Sequence, residues 1–95
     1  MKITFKTIER LQKEYQFDSM QKLINSGLCW HMEGSVGREV GSLLECGACM
    51  LPKRSVRDYY GNIIPSRDEL KKGTKGTYHN SVDFWTKVIN GEIIL

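Results

Sequence analysis

The chain predicts a small, mainly helical α+β domain, about four short helices with one small β-hairpin in the middle. Three observations carry this. Apolar residues recur at helical spacing near both ends and around 36–44. Glycines interrupt the chain where short helices would stop, at Gly27, Gly47 and Gly91. Gly61-Asn62 stands between an aromatic run and Ile63-Ile64, which is a hairpin signal. The 95 residues suit one domain over 1–95, and 40% hydrophobic with 26% charged side chains suit a folded chain.

Ile3, Phe5, Ile8, Leu11 and Tyr15 share a helical face, so the first helix is expected over about 4–15. Asp18 is the expected N-cap of a second helix over 19–25, with Gln21 at the reciprocal capping position. Met20, Leu23 and Ile24 would be its buried side, and Gly27 its left-handed stop. Residues 28–32 are expected to be extended and partly buried. Ser35 is the expected cap of a third helix to about Glu45, with Val36, Val40, Leu43 and Leu44 on one face. Gly37 and Gly41 lie one turn apart on it. Each costs roughly 1 kcal/mol relative to Ala, so a close approach of another backbone is expected there. Gly47 stops this helix and Pro52 ends the apolar run 48–51.

Farther on, Gly61-Asn62 should make a two-residue hairpin turn, with Pro65 closing it. Ser66-Arg67-Asp68-Glu69 reads as a capping box for one helical turn ending at Gly73, and 73–77, GTKGT, as a loop. Asn80 is the expected cap of a last helix to about Ile89. Val82, Trp85, Val88 and Ile89 would face inward and Gly91 would end it. Ile93-Ile94-Leu95 would pair as a terminal strand.

No apolar run approaches the roughly 20 residues of a membrane span, and the opening MKITFKTIERLQ scatters charges where a signal peptide would be apolar. The expected compartment is a cytoplasm, without membrane partners. Three cysteines cannot all pair within one chain, and a reducing compartment favours free thiols or metal ligands. Cys29-x-His31 and Cys46-x-x-Cys49 raise the question of zinc. The second is a good half-site and the first a poor one. The helix between them, about 16 Å long at 1.5 Å per residue, makes convergence on one ion strained. A redox dithiol wants its Cys-x-x-Cys at a helix N-terminus, whereas this one follows a C-terminus. The favoured reading is buried thiols, with no metal and no cofactor. Nothing in the spacing supports a Cys29–His79 nucleophile pair, and Glu33, Glu39 and Glu45 share no helix face cleanly. No catalytic residue is assigned, and the chain is expected not to be an enzyme.

Charge is the stronger clue. The net +3 is uneven: residues 1–49 are neutral, while 50–79 carry seven basic against three acidic side chains. Lys53, Arg54, Arg57, Arg67, Lys71, Lys72 and Lys75 interleave there with Tyr59, Tyr60 and Tyr78. Arg and Lys can meet phosphates and tyrosines can stack on bases. The same composition suits an acidic protein surface. The partner-binding residues assigned are Arg54, Arg57, Tyr59, Tyr60, Arg67, Lys71, Lys72 and Lys75. GTKGT with Lys71 and Lys72 is at most a weak phosphate cradle, since it lacks the G-x-x-x-x-G-K-[ST] spacing. Trp30, His31, Glu33 and Arg38 form a second polar-aromatic group. A homodimer stays open, given the thin core and the glycine-lined helix face.

GLCWHMEGSVGREVGSLLECGACMLP followed by RDYYGNIIPSRDELKKGTKGT resembles a group of small phage and prophage proteins. In them W-x-M-E-G-S-x-G-R precedes L-L-E-x-G, then D-Y-Y-G-N-x-[IV]-P-[AS]-R and G-T-K-G-T. The resemblance covers about 26–77, and the cysteines are not part of its pattern. It implies a phage origin and carries over no catalytic residue. Phage accessory proteins of this size are often inhibitors of host defence machinery, CRISPR effectors included, and others bind nucleic acid. The expected partner is therefore a host protein or protein–nucleic-acid complex in the host-cell cytoplasm. Direct nucleic-acid binding is the alternative, with a Cys/His metal-site protein a more distant one.

Overall fold

Helix α1, Phe5–Glu14, starts at a reciprocal threonine cap in the computed structural model, which describes residues 3–32 and 34–95. The Thr4 hydroxyl accepts from the Thr7 amide at 3.3 Å, and the Thr4 amide donates back to Thr7 Oγ1 at 3.4 Å. Ile8 and Leu11 are its buried stripe, as the spacing requires. Phe5 and Tyr15 lie at the stripe's edges, against Tyr78 and Trp85 respectively.

Helix α2, Asp18–Ser26, begins one residue earlier than expected and has no side-chain cap; Asp18 lies inside its first turn. Gln21 fails as a capping partner because it is drawn into the interior. Its Nε2 donates to the Met50 carbonyl at 2.8 Å, and its Oε1 accepts from the Met50 amide at 2.9 Å. Gly27 ends α2 at φ 79°. Residues Leu28–His31 then form a 3-10 turn, not an extended segment. Local bonds dictate it: the Trp30 amide donates to the Gly27 carbonyl at 3.2 Å, and the Leu28 amide to Ser26 Oγ at 3.2 Å.

Helix α3, Gly34–Cys46, starts before Ser35, so Ser35 is a helical residue and not the cap. Gly37 and Gly41 face open space, with nothing within 4 Å of a Cβ built on either. The expected close backbone approach does not occur there. It occurs at Gly47, where φ is 102° and a Cβ would lie 2.6 Å from the Asn80 carbonyl oxygen.

Strand β1, Val56–Arg57, pairs antiparallel with β2, Ile63–Ile64, in the register Val56↔Ile64 and Arg57↔Ile63. The hairpin is where the sequence placed it, but residues 58–62 form a five-residue loop in place of the two-residue turn. Residues 66–69 make a turn and no helix. The reciprocal contact is present, the Ser66 amide donating to Glu69 Oε2 at 2.7 Å.

Helix α4, Tyr78–Ile89, is capped by Thr77, whose hydroxyl accepts from the Asn80 amide at 3.2 Å. Asn80 is not the cap because its side chain serves another helix. Nδ2 donates to the carbonyls of Leu44 at 3.1 Å and Glu45 at 3.3 Å, near the end of α3. Phe84, Trp85 and Val88 face inward while Ile89 is exposed, against expectation. The tail forms no strand: the Glu92 and Ile93 amides both donate to the Lys87 carbonyl, and Ile93 alone of the three apolar tail residues packs inward.

Two apolar clusters make the core. The first gathers Ile3, which precedes α1, with Ile8, Leu11, Phe84, Trp85 and Val88 from α1 and α4; the second gathers Ile24, Cys29, Val40 and Leu44 from α2, the 3-10 turn and α3. Segment 48–51 threads between them, sending Ala48 and Met50 into the first and Cys49 and Leu51 into the second. The segment lies in no sheet of the described residues; the Cys49 and Leu51 amides donate to the Leu43 and Gly76 carbonyls, and side chains serve Ala48 and Met50. Gln12 Nε2 and Trp85 Nε1 donate to the Ala48 carbonyl at 2.9 and 3.3 Å, and Gln21 serves Met50.

Candidate binding surface

The hairpin tip is built by Asp58. Its Oδ1 accepts from the Tyr60 amide at 2.9 Å and the Asn62 amide at 2.8 Å, and its own amide donates to the Asn62 carbonyl at 2.9 Å. Aspartate favours such turns because its short carboxylate reaches the amides that follow it. Gly61, at φ 82°, supplies the left-handed residue the turn needs. Arg57 Nη1 donates across the loop to the Gly61 carbonyl at 2.8 Å. Two further bonds tie the tip to the 3-10 turn. The Tyr59 amide donates to the Trp30 carbonyl at 3.2 Å, and His31 Nε2 lies 3.0 Å from the Arg57 carbonyl, which requires a proton on that nitrogen.

This frame holds Tyr59 and Tyr60 outward, 73% and 84% exposed, with ring centroids 5.2 Å apart and planes at 87°. Arg54 and Arg57 are exposed on the chain just before them. A shallow hollow beside the tip is lined by Trp30, His31, Met32, Gly34, Tyr59 and Tyr60.

Trp30 also lines the neighbouring groove, of about 590 Å³, whose apolar wall includes Leu44, Leu51, Ile64, Pro65 and Leu70. Lys71 and Lys75 are its charged members, and both are exposed. The Trp30 indole Nε1 is buried and has no acceptor among the described residues. The groove was not legible beforehand, because Trp30, Gly41 and Leu70 come from three distant stretches. The only local hint is the apolar Ile64, Pro65 and Leu70 set among cations.

The eight assigned residues therefore divide. Arg57, Tyr59 and Tyr60 share the tip with Arg54 close by in the chain, while Lys71 and Lys75 share the groove. Lys72 is apart, beside Tyr78 and His79. Arg67 is a packing residue. Its Nε donates to the Leu51 carbonyl at 2.6 Å, its guanidinium lies 5.4 Å from the Phe5 ring centre, and burial lowers its pKa against the opposing pull of Asp68 and Glu9. Three of the five amides in 73–77, the stretch weighed as a phosphate cradle, are already engaged. The Thr74, Gly76 and Thr77 amides donate to the carbonyls of Lys71, Leu44 and Thr74, so they are not turned to an anion.

The cysteines lie apart in character. Cys29 and Cys49 are buried in the second cluster, where desolvation pushes their thiols up to about 11 and about 12. Both are thiols at neutral pH, the weakly nucleophilic form. Cys46 is exposed, contrary to the expectation of burial, because it ends α3 on the solvent side. His31 is engaged with the hairpin, and His79 sits exposed on α4 with its ring against Tyr78. No group of three or more His, Cys, Asp or Glu side chains among the described residues could hold a metal ion. Glu39 and Glu45 are exposed on α3; Glu33 lies outside the described residues. No helix among them is long and apolar enough to cross a membrane.

No protein-family model, curated protein or solved structure matches this chain.

Proposed function

We propose that this chain is a non-enzymatic, phage-encoded accessory protein that binds a host macromolecule in the host cytoplasm and inhibits it by covering a working surface. The observation that carries the reading is the pair Tyr59 and Tyr60, held out into solvent by a turn locked through Asp58, Arg57 and Gly61. Exposed aromatic rings on a fixed frame give large contact area with little ordering cost, which is what interface anchors do. Arg54 and Arg57 add donors suited to carboxylates and phosphates, and Lys71, Lys72 and Lys75 raise the encounter rate with an acidic surface. The motif resemblance to phage proteins makes host defence complexes, CRISPR nucleases included, the first targets to test.

The test is capture from a bacterial lysate, with and without nuclease, comparing the natural chain with Tyr59→Ala/Tyr60→Ala. One protein complex enriched in both lysates, and weakened roughly tenfold or more by the double substitution, is the expected result. The captured complex is then assayed for loss of its activity. Capture indifferent to the tyrosines removes the tip as the site. The same tyrosines favour a second reading, stacking on single-stranded bases. In that case enrichment vanishes with nuclease and affinity falls steeply with salt.

A further inference from the structure

The groove beside α3 combines an apolar wall with a single sign of charge. Leu44, Leu51, Ile64, Pro65 and Leu70 form the wall. Lys71 and Lys75, both exposed, line it as well, and no carboxylate among the described residues does. The pocket between α1 and α2 is different, since Glu9 and Asp18 stand there among Lys13, Lys22 and Arg67. We propose that the groove binds a small amphipathic anion, a free acyl carboxylate of medium length. Its hydrocarbon chain lies on the apolar wall and its head group meets the two lysines.

Three observations select this class of ligand. The first is charge. Two cations without an opposing acid attract an anionic head, while the wall rewards burial of an apolar chain. The second is the state of the backbone around the groove. The Leu44 carbonyl accepts from the Gly76 amide at 3.2 Å and from Asn80 Nδ2 at 3.1 Å. The Leu51 amide donates to the Gly76 carbonyl, and its carbonyl accepts from Arg67 Nε. The Thr74 amide and hydroxyl both donate to the Lys71 carbonyl, and Pro65 has no N–H to offer. An extended peptide laid here would find few partners for its own amides, and each one left unsatisfied is costly. A hydrocarbon chain carries no such groups. The third is size: about 590 Å³ falls within the roughly 300–1,000 Å³ of small-molecule sites.

Calorimetric titration of the full chain with decanoate, decan-1-ol and decylammonium is the test. Decanoate should bind once per chain with a Kd of roughly 10–100 µM. Decan-1-ol should bind about three- to tenfold more weakly, and decylammonium more weakly still. Lys71→Gln/Lys75→Gln should bring decanoate down to the level of decan-1-ol. Gly41 lines the groove, and a Cβ there meets nothing within 4 Å. Gly41→Leu therefore occupies the groove without displacing the core, and leucine is the better helix former. It should weaken decanoate roughly tenfold or more, with a circular dichroism melt no lower than that of the natural chain. The proposal is overturned if decanoate shows no saturable binding up to about 1 mM, if decan-1-ol binds equally well, or if binding survives Gly41→Leu. A groove that ignores decanoate, in a chain whose capture of a host complex is lost in Gly41→Leu, belongs to a protein segment, which overturns it as well. Tyr59→Ala/Tyr60→Ala should leave decanoate binding unchanged, so this proposal and the reading of the tyrosine tip stand or fail separately. A loss of decanoate binding in that variant would place the ligand in the hollow beside the tip and overturn the groove as its site.

Discussion

Gln12 and Gln21 are buried polar residues in a small core, and their bonds explain why they are there. Gln12 Nε2 donates to Gln21 Oε1 and to the Ala48 carbonyl, both at 2.9 Å. Gln21 then closes on the amide and the carbonyl of Met50 and donates to Asn25 Oδ1 at 2.9 Å. A primary amide offers two donors and one strong acceptor, which suits a backbone passing between apolar clusters without a strand to pair with. Gln21→Ala would leave the Met50 amide and carbonyl without these partners, and each unsatisfied buried group costs about 1–3 kcal/mol. A loss of about 3 kcal/mol in urea denaturation is expected; a loss under about 0.5 kcal/mol would mean that the network adds nothing net. The sequence position of Gln21, three after Asp18, imitates a capping box, and that local resemblance hid its tertiary use. Arg67 is the parallel case. Counted with the free cations by composition, it is instead bound to the Leu51 carbonyl and stacked on Phe5.

Glycines show how one residue type acts oppositely in different elements. Gly47 ends α3 in the left-handed region, and a Cβ would meet the Asn80 backbone at 2.6 Å and Phe84 Cβ at 2.8 Å. Gly37 sits within the same helix with nothing within 4 Å. Gly37→Ala should therefore raise stability by about 0.5–1 kcal/mol, while Gly47→Ala should lower it by about 2 kcal/mol or more. Thermal melts of the two variants decide the matter, and shifts of equal sign would refute the assignment. Helix stops were legible because they depend on the local chain: Gly27, Gly47 and Gly91 all adopt positive φ. Caps were less so. Thr77 and Asn80 are equally plausible by type, and the choice falls to Thr77 because Asn80 can reach the carbonyls of Leu44 and Glu45. The hairpin existed as expected, but its loop length did not follow from Gly61-Asn62. Asp58 reaches over both following turn amides and fixes the longer loop. Of the candidate site, the exposed tyrosines and arginines were legible as composition. The groove was not, since it forms only when α3, the 3-10 turn and residues 64–75 meet.

At the scale of the molecule, the arrangement of the core determines how it comes apart. Segment 48–51 contributes to both clusters, so neither can lose its packing without loosening the strap they share. Gly47 and Leu51 tie that strap at its ends, the Gly47 carbonyl accepting from Ser81 Oγ at 2.7 Å and the Leu51 amide donating to the Gly76 carbonyl at 2.9 Å. Unfolding should then be one cooperative transition. Ile8 and Ile24 are both fully buried, one in each cluster. Ile8→Val and Ile24→Val should each lower stability by about 0.5–1.5 kcal/mol, moving the urea midpoint with its slope unchanged. Far-ultraviolet dichroism and tryptophan fluorescence should report the same midpoint in each variant, although Trp85 belongs to the first cluster and Trp30 packs on the second. Two separated transitions, or a substitution that shifts one probe alone, would show that the clusters unfold independently. The hairpin tip stands outside this unit, because Tyr59 and Tyr60 belong to neither cluster. Tyr59→Ala/Tyr60→Ala should leave the transition in place, so binding and stability can be altered separately, and a loss of capture in that variant reads as loss of contact.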